Sequence, residues 1–206
     1  ISQQRRTGAV GKVCRVLIDL KDFDQVETES HLDERELGPS RIISKEQKLI
    51  QKTAREFADA ELMPGAIERD EKKIWPREAV TKMAELGFMG IMVDPEWNGG
   101  GMDTISYTIA MEEISRADAS CGVIISVNNS LVCFLLEKYA SDTVKETYLK
   151  PLASGEKLGA FSLSEPQSGS DASNMNTRAI KEGDHYIITG VKNWVTSGIH
   201  SDYVIL

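Results

Sequence analysis

The chain has few of the residues that staple small folds or hold metals. Cysteine occurs three times in 206 residues, as Cys14, Cys121 and Cys133, with no C-x-x-C pair. Neither a disulfide framework nor a zinc site is indicated, and a reducing compartment fits best. Cys121 and Cys133 lie in an apolar stretch and read as small core residues. His31, His185 and His200 have neither metal-ligand spacing nor a nucleophile partner, so they read as surface residues and no metal is expected. Basic residues are outnumbered, 24 Lys and Arg against 32 Asp and Glu, for a net charge of −8. That balance argues against a nucleic-acid footprint, which requires a basic face. No run reaches 18 consecutive apolar residues, which excludes a membrane span on that criterion. The patterns G-x-G-x-x-G, G-x-S-x-G and H-E-x-x-H are absent. Gly8-Ala9-Val10-Gly11-Lys12 is no phosphate loop, because its glycines are too close and no Ser or Thr follows the Lys.

What is present suits a globular chain of one large domain or two small ones: 41% hydrophobic and 27% charged residues. Such a length buries roughly 70% of its unfolded surface without staples. The charge is uneven. Residues 1–18 carry Arg5, Arg6, Lys12 and Arg15 and no acid, which suits either the remnant of a transit peptide or a basic tail. The chain does not begin with Met, as expected of a processed or incomplete chain. Residues 21–40 are acidic and poor in apolar side chains, so residues 1–40 are expected to be a disordered leader.

Helical periodicity dominates from Ile42. Ser44 and Gln47 form a capping-box pattern, and Ile50, Ala54, Phe57 and Ala58 recur on one face of a helix expected to stop before Pro64-Gly65. A second helix opens at Pro76 and ends at Gly87, and a third spans about 103–116. A fourth, about 120–139, is apolar nearly all round and is expected to be buried. The Asn128-Asn129-Ser130 sequon within it has no room for a glycan. A fifth starts at Thr143, with Glu146 completing its capping box, and ends at Gly155. The period then changes. Residues 157–164 alternate, residues 178–181 and 186–190 flank a Glu-Gly-Asp turn, and strands at 191–196 and Tyr203–Leu206 follow. The fold class is therefore α+β: helices followed by an antiparallel, barrel-like β domain. That domain looks cut short at Leu206, on a strand expected to be unpaired.

Two stretches carry chemistry. Residues 161–171 (FSLSEPQSGSD) run from strand into a loop rich in hydroxyls and free N–H donors. Such a loop suits the polar edge of a flat heterocycle and a phosphate ester, although a Ser-rich turn would read the same. Residues 192–198 (KNWVTSG) place an aromatic and a hydroxyl on one side of a strand, which suits either a ligand edge or a core Trp.

Together, S-E-P-x-x-G-S-D and N-W-V-T-S resemble the signature of the acyl-CoA dehydrogenases. Ala110–Arg116 and Gly122–Leu131 are very similar to the short-chain, butyryl-CoA branch. The resemblance covers about residues 42–206. It implies an N-terminal helical domain (41–156), part of a middle β domain (157–206), and an absent C-terminal four-helix domain. It implies FAD as cofactor. Phe161, Leu163 and Ser164 would lie along the flavin, Gly169 and Ser170 would reach its phosphate and the acyl-CoA, and Trp194, Val195 and Thr196 would flank the ring. Ser170 would also bind substrate.

The implied reaction is α,β-dehydrogenation of a short-chain acyl-CoA to the trans-2-enoyl-CoA in mitochondrial fatty acid β-oxidation. Electrons would pass to electron-transferring flavoprotein. A branched-chain dehydrogenase, an acyl-CoA oxidase or a non-catalytic binding module are the alternatives. The family's base is a Glu of the third domain, so the catalytic base is expected beyond Leu206 and none within 1–206. Glu165 reads as structural. Gln167 and Ser168 depart from the small residues usual there, which would narrow the loop. The family also implies a homotetramer in the mitochondrial matrix.

Overall fold

The computed structural model describes residues 43–206, so the leader and presequence expectations, with Cys14 and His31, lie outside the described residues. The first helix starts where its cap dictates. Ser44 Oγ accepts from the Gln47 N–H at 3.1 Å and Gln47 Oε1 accepts from the Ser44 N–H at 2.9 Å, opening α1 (Lys45–Phe57). Pro64-Gly65 does not end the helical path. The chain loosens to a π turn at Ala58–Leu62, tightens to a 3-10 turn at Met63–Gly65 and resumes as α2 (Ala66–Lys72). Pro64 sits where a new turn begins, a position at which its missing N–H costs little.

Helix α3 (Arg77–Glu85) follows Pro76 as expected, and α4 (Thr104–Ala117) is capped by Asp103, whose carboxylate accepts from the Ser106 N–H at 2.7 Å. The fourth helical path is continuous as α5 (Ala119–Ser126), a π stretch (Val127–Cys133) and α6 (Phe134–Tyr139). At 21 residues it is long and apolar enough by composition to cross a membrane, which the consecutive-run criterion missed. Its inner face is that of a core helix, with Cys121, Ile125, Val132 and Cys133 buried. It is not buried all round, however. Val123, Leu131 and Phe134 are exposed, because the described elements pack against one side only. The fifth helix begins one residue earlier than expected. Ser141 precedes α7 (Asp142–Val144) without a side-chain cap bond, a π turn (Lys145–Leu149) follows, and α8 (Lys150–Ala153) gives way to a turn through Gly155, φ +75°. Thr143 lies inside the helix, with its carbonyl accepting from Thr147 Oγ1, so it is not the cap.

The sheet departs further from expectation. Strand β1 (Gly159–Phe161) pairs parallel with β4 (Tyr203–Ile205), Ala160 opposite Val204. The final apolar strand is therefore paired, not orphaned as expected, and it stops one residue short of Leu206. Phe161 stands opposite Ile205, and the Ser162 N–H takes the Ile205 carbonyl at 2.8 Å. Past that bond the first strand turns away, so Leu206 finds no ladder partner among the described residues and is exposed. Among the described residues only β2 (Arg178–Glu182) and β3 (His185–Thr189) form the antiparallel ladder foreseen, around Gly183 at φ +65°. That hairpin is exposed on both faces. Residues 191–195 form no strand.

Two apolar clusters organise the core. One joins α1, α3, α4 and α5 through Leu62, Met83, Ile114 and Ile125; the other joins Val93, Val132, Leu149 and Leu152 and takes Phe161, Tyr203 and Ile205 against it. Each fully buried side chain of this size contributes about 1.5–3 kcal/mol. Asn128, wholly buried, welds sheet to helices: its Nδ2 donates to Met89 O (2.8 Å) and Leu152 O (3.0 Å), and its Oδ1 accepts from Gly159 N (3.0 Å). No glycan fits there, as the sequence indicates.

Candidate functional site

The site grows from the end of β1. Ser162 N is the last donor to the sheet; beyond it the chain folds on itself. Glu165 and Ser168 exchange main-chain hydrogen bonds (2.8 and 3.1 Å), and buried Ser168 donates its hydroxyl to Asp171 O at 2.6 Å. Gln167 donates to Glu165 Oε2 at 2.6 Å. The two residues that depart from the small family pattern thus brace the loop from within.

Glu165 is its hub. Its carboxylate accepts from Asn176 N (2.6 Å), Thr177 N (2.9 Å), Gln167 Nε2 (2.6 Å) and Lys192 Nζ (2.9 Å). The Thr177 side chain, the Asn176 N–H and the Lys192 ammonium hold this carboxyl well below the usual carboxylate range, despite burial. The Thr177 hydroxyl completes no well-formed hydrogen bond, so the N–H groups and the ammonium are the partners of defined geometry. With two acceptances on each oxygen, Glu165 has no lone pair to offer as a base. It braces the loop.

The same hub brings the two motif stretches together. Lys192 Nζ also donates to Leu163 O at 2.9 Å, and Asn193 N donates to Ser164 O at 2.8 Å. Residues 192 and 193 therefore clamp consecutive carbonyls of the first stretch. The N–H and hydroxyl of Ser164, and those of Thr196, meet no acceptor among the described residues. Gly169 and Ser170 are exposed, and nothing stands within 4 Å of a Cβ built on Gly169. Phe161 is committed elsewhere, packed on the second core cluster, and Leu163 is exposed beside the loop.

The second stretch departs from the strand expected of it. Trp194 has φ +58° and its residue is 93% exposed; Ser197 has φ +60°. A bulky aromatic in the left-handed region is strained and lifts its ring away from the chain's own packing. Trp194 and Thr196 thus do not share one strand face. Val195, half-buried, starts a turn closed by Gly198 N to Val195 O at 3.1 Å. Thr196 and Ser197 instead line a cleft of about 790 Å³ whose other walls include Arg69, Trp75, Asp118 and Val123. His200 closes one edge, stacked on Trp75 at 4.4 Å between ring centroids. Ser197 Oγ is buried and meets no hydrogen-bond partner among the described residues. Lys192 and Ser197 have no local signal in the sequence. The partners of Lys192 lie 17 to 29 residues away, and the place of Ser197 follows from its strained backbone.

Two family models match: "Acyl-CoA dehydrogenase, N-terminal domain" over residues 44–156 and "Acyl-CoA dehydrogenase, middle domain" over 160–206. The short-chain-specific acyl-CoA dehydrogenase of Clostridium acetobutylicum is 42% identical over 164 residues, 80% of this chain and 43% of that protein. The human short-chain-specific acyl-CoA dehydrogenase, mitochondrial, is 46% identical over 151 residues, 73% of this chain and 36% of that protein. A glutaryl-CoA dehydrogenase from Mycobacterium smegmatis, solved in complex with FADH2, superposes with a TM-score of 0.76 at 31% identity over 80% of this chain and 42% of its own. The chain spans less than half the length of each of these relatives.

Proposed function

The chain belongs to the acyl-CoA dehydrogenase family, and from that premise we propose that it contributes the helical and flavin-edge parts of an FAD-dependent short-chain acyl-CoA dehydrogenase. The observation that carries the reading is the set of unspent donors on two clamped stretches. Among the described residues Ser164 and Thr196 keep N–H and hydroxyl without an acceptor, Gly169 and Ser170 are open to a bulky anionic group, and Trp194 holds an exposed ring beside them in sequence. That donor set fits a flat heterocycle with a phosphate ester.

When bound, FAD supplies the acceptor for the hydride that leaves the acyl β-carbon. The residues of this chain bind and orient. Leu163, Ser164 and Thr196 offer donors to the ring edge, Trp194 and Val195 offer apolar surface to its plane, and Gly169 and Ser170 meet phosphate and acyl-CoA. Glu165 moves no proton. The α-proton goes to a glutamate beyond Leu206. Residues 41–156 and 157–206 act as the helical and middle domains, the latter part of a closed barrel. The whole protein acts as a homotetramer in the mitochondrial matrix and hands electrons to electron-transferring flavoprotein.

The test is anaerobic addition of butyryl-CoA to the whole protein. Bleaching of the flavin absorption band is expected; a flavoprotein that butyryl-CoA leaves unbleached contradicts the short-chain reading. Ser170→Ala raises KM for acyl-CoA and Trp194→Ala weakens flavin retention. Unchanged kinetics and flavin content in both contradict the assignment of these residues.

A further inference from the structure

We propose that Lys192 is a positioning residue of the flavin edge, its ammonium fixing and polarising the Leu163–Ser164 peptide that the cofactor meets. The inference rests on the flavin reading of this edge and goes beyond it, because Lys192 belongs to no part of the signature assigned to the cofactor.

An ammonium has three N–H donors. All three are spent inside the protein: on Leu163 O at 2.9 Å, on Glu165 Oε1 at 2.9 Å, and on Met175 Sδ at 3.2 Å. The side chain is 11% exposed, so the charge is shielded from solvent and its orientation is fixed by three partners on three segments. Nothing is left with which to touch a ligand directly. Its action passes through the peptide. In an amide the carbonyl and the N–H share one delocalised system, so a cation on Leu163 O strengthens the Ser164 N–H as a donor. That N–H is one of the groups without an acceptor among the described residues.

Glu165 makes this placement sustainable. It neutralises the buried ammonium and is itself held by two main-chain N–H groups, so both charges are paired and hydrogen-bonded. Asn193, next in the chain, grips the following carbonyl, Ser164 O. Two adjacent residues of one motif thereby set both the position and the polarity of the peptide in the other. The additional bond to Leu163 O is what a tuning role requires.

The experiment compares the whole protein with Lys192→Arg, Lys192→Met and the double variant Lys192→Met/Glu165→Gln. The double variant removes both charges, so no unpaired buried carboxylate remains; one main-chain N–H then faces the new amide, and the thermal midpoint is read to confirm that the variant folds. FAD affinity is read by fluorescence quenching, and the flavin midpoint potential by spectroelectrochemical titration. The expected result for the double variant is a folded protein that binds FAD about threefold more weakly, the weakening of one hydrogen bond. Its midpoint should move to more negative potential, because the reduced ring loses donor strength. Lys192→Arg should restore part of both. A folded double variant with unchanged affinity and midpoint overturns the proposal and leaves Lys192 a structural clasp. A wild-type protein that takes up no FAD overturns the flavin reading itself, and the inference with it.

Discussion

At the scale of single residues, the side chains that decide this structure are polar and buried. Asn128→Leu keeps the branched shape but strands the Met89 carbonyl and the Gly159 N–H, while the Leu152 carbonyl keeps the Gly155 N–H at 3.2 Å. With each unsatisfied buried group costing about 1–3 kcal/mol, the loss should reach at least about 2 kcal/mol in urea unfolding. A cost under about 1 kcal/mol would mean that the weld between sheet and helices is dispensable. Gly159 is required for a different reason. A Cβ there would stand 2.6 Å from Val132 Cγ1, so Gly159→Ala should destabilise by roughly 1–3 kcal/mol. The same methyl should cost less in a Val132→Ala background. Burial pushes the Cys121 thiol up to about 12 and raises that of Cys133 as well. Neither should react with a disulfide reagent until the protein unfolds.

At the scale of elements, local rules succeed where the determinants are local. The Ser44 capping box is present as written, and Ser44→Ala should cost about 1 kcal/mol, read as a lowered thermal midpoint. The helices starting after Pro76 and Asp103 and the long path to Tyr139 were legible from period and caps. Pro64-Gly65 misleads because a π turn before it and a 3-10 turn through it let the chain continue, at a cost that packing of Leu62 offsets. The 191–196 stretch alternates like a strand, yet Trp194 and Ser197 take positive φ, which no propensity foretells. The parallel pairing of β1 with β4 was illegible for another reason. Register between segments 44 residues apart is set by the core between them, here Asn128, Val132 and Leu158, and not by either strand's own pattern. The same register leaves Leu206 outside the ladder, although its apolar side chain reads as a continuation of the strand. The two motif stretches were legible as segments that belong together, and the structure clamps them to one another. The Lys192–Glu165 hub that joins them was not, because ion pairs across long sequence separations leave no periodic trace.

At the scale of the whole molecule, the helical and β parts both carry carboxylates whose ionisation supports the fold. Hydrogen bonds from Arg55 hold the Glu113 carboxyl below its ordinary value, and the Ser106 hydroxyl and N–H do the same for Asp103. Glu165 behaves likewise. A depressed folded pKa contributes stability that is present above the unfolded value and lost as pH falls. With unfolded carboxylates titrating near about 4, the thermal midpoint should be flat above about pH 5 and fall below about pH 4. Glu113→Gln should shallow that fall; an acid limb of unchanged slope would remove Glu113 from the account.

On the proposed reading, the clamped stretches 161–171 and 192–198 form one flavin edge. The most direct measurement is the FAD dissociation constant of the whole protein beside that of Ser164→Ala/Thr196→Ala. The wild-type protein should hold about one FAD per chain, and the double variant should bind it roughly tenfold more weakly with its thermal midpoint in the FAD-free state unchanged. Equal affinities in the two, or no uptake by the wild type, would contradict the claim.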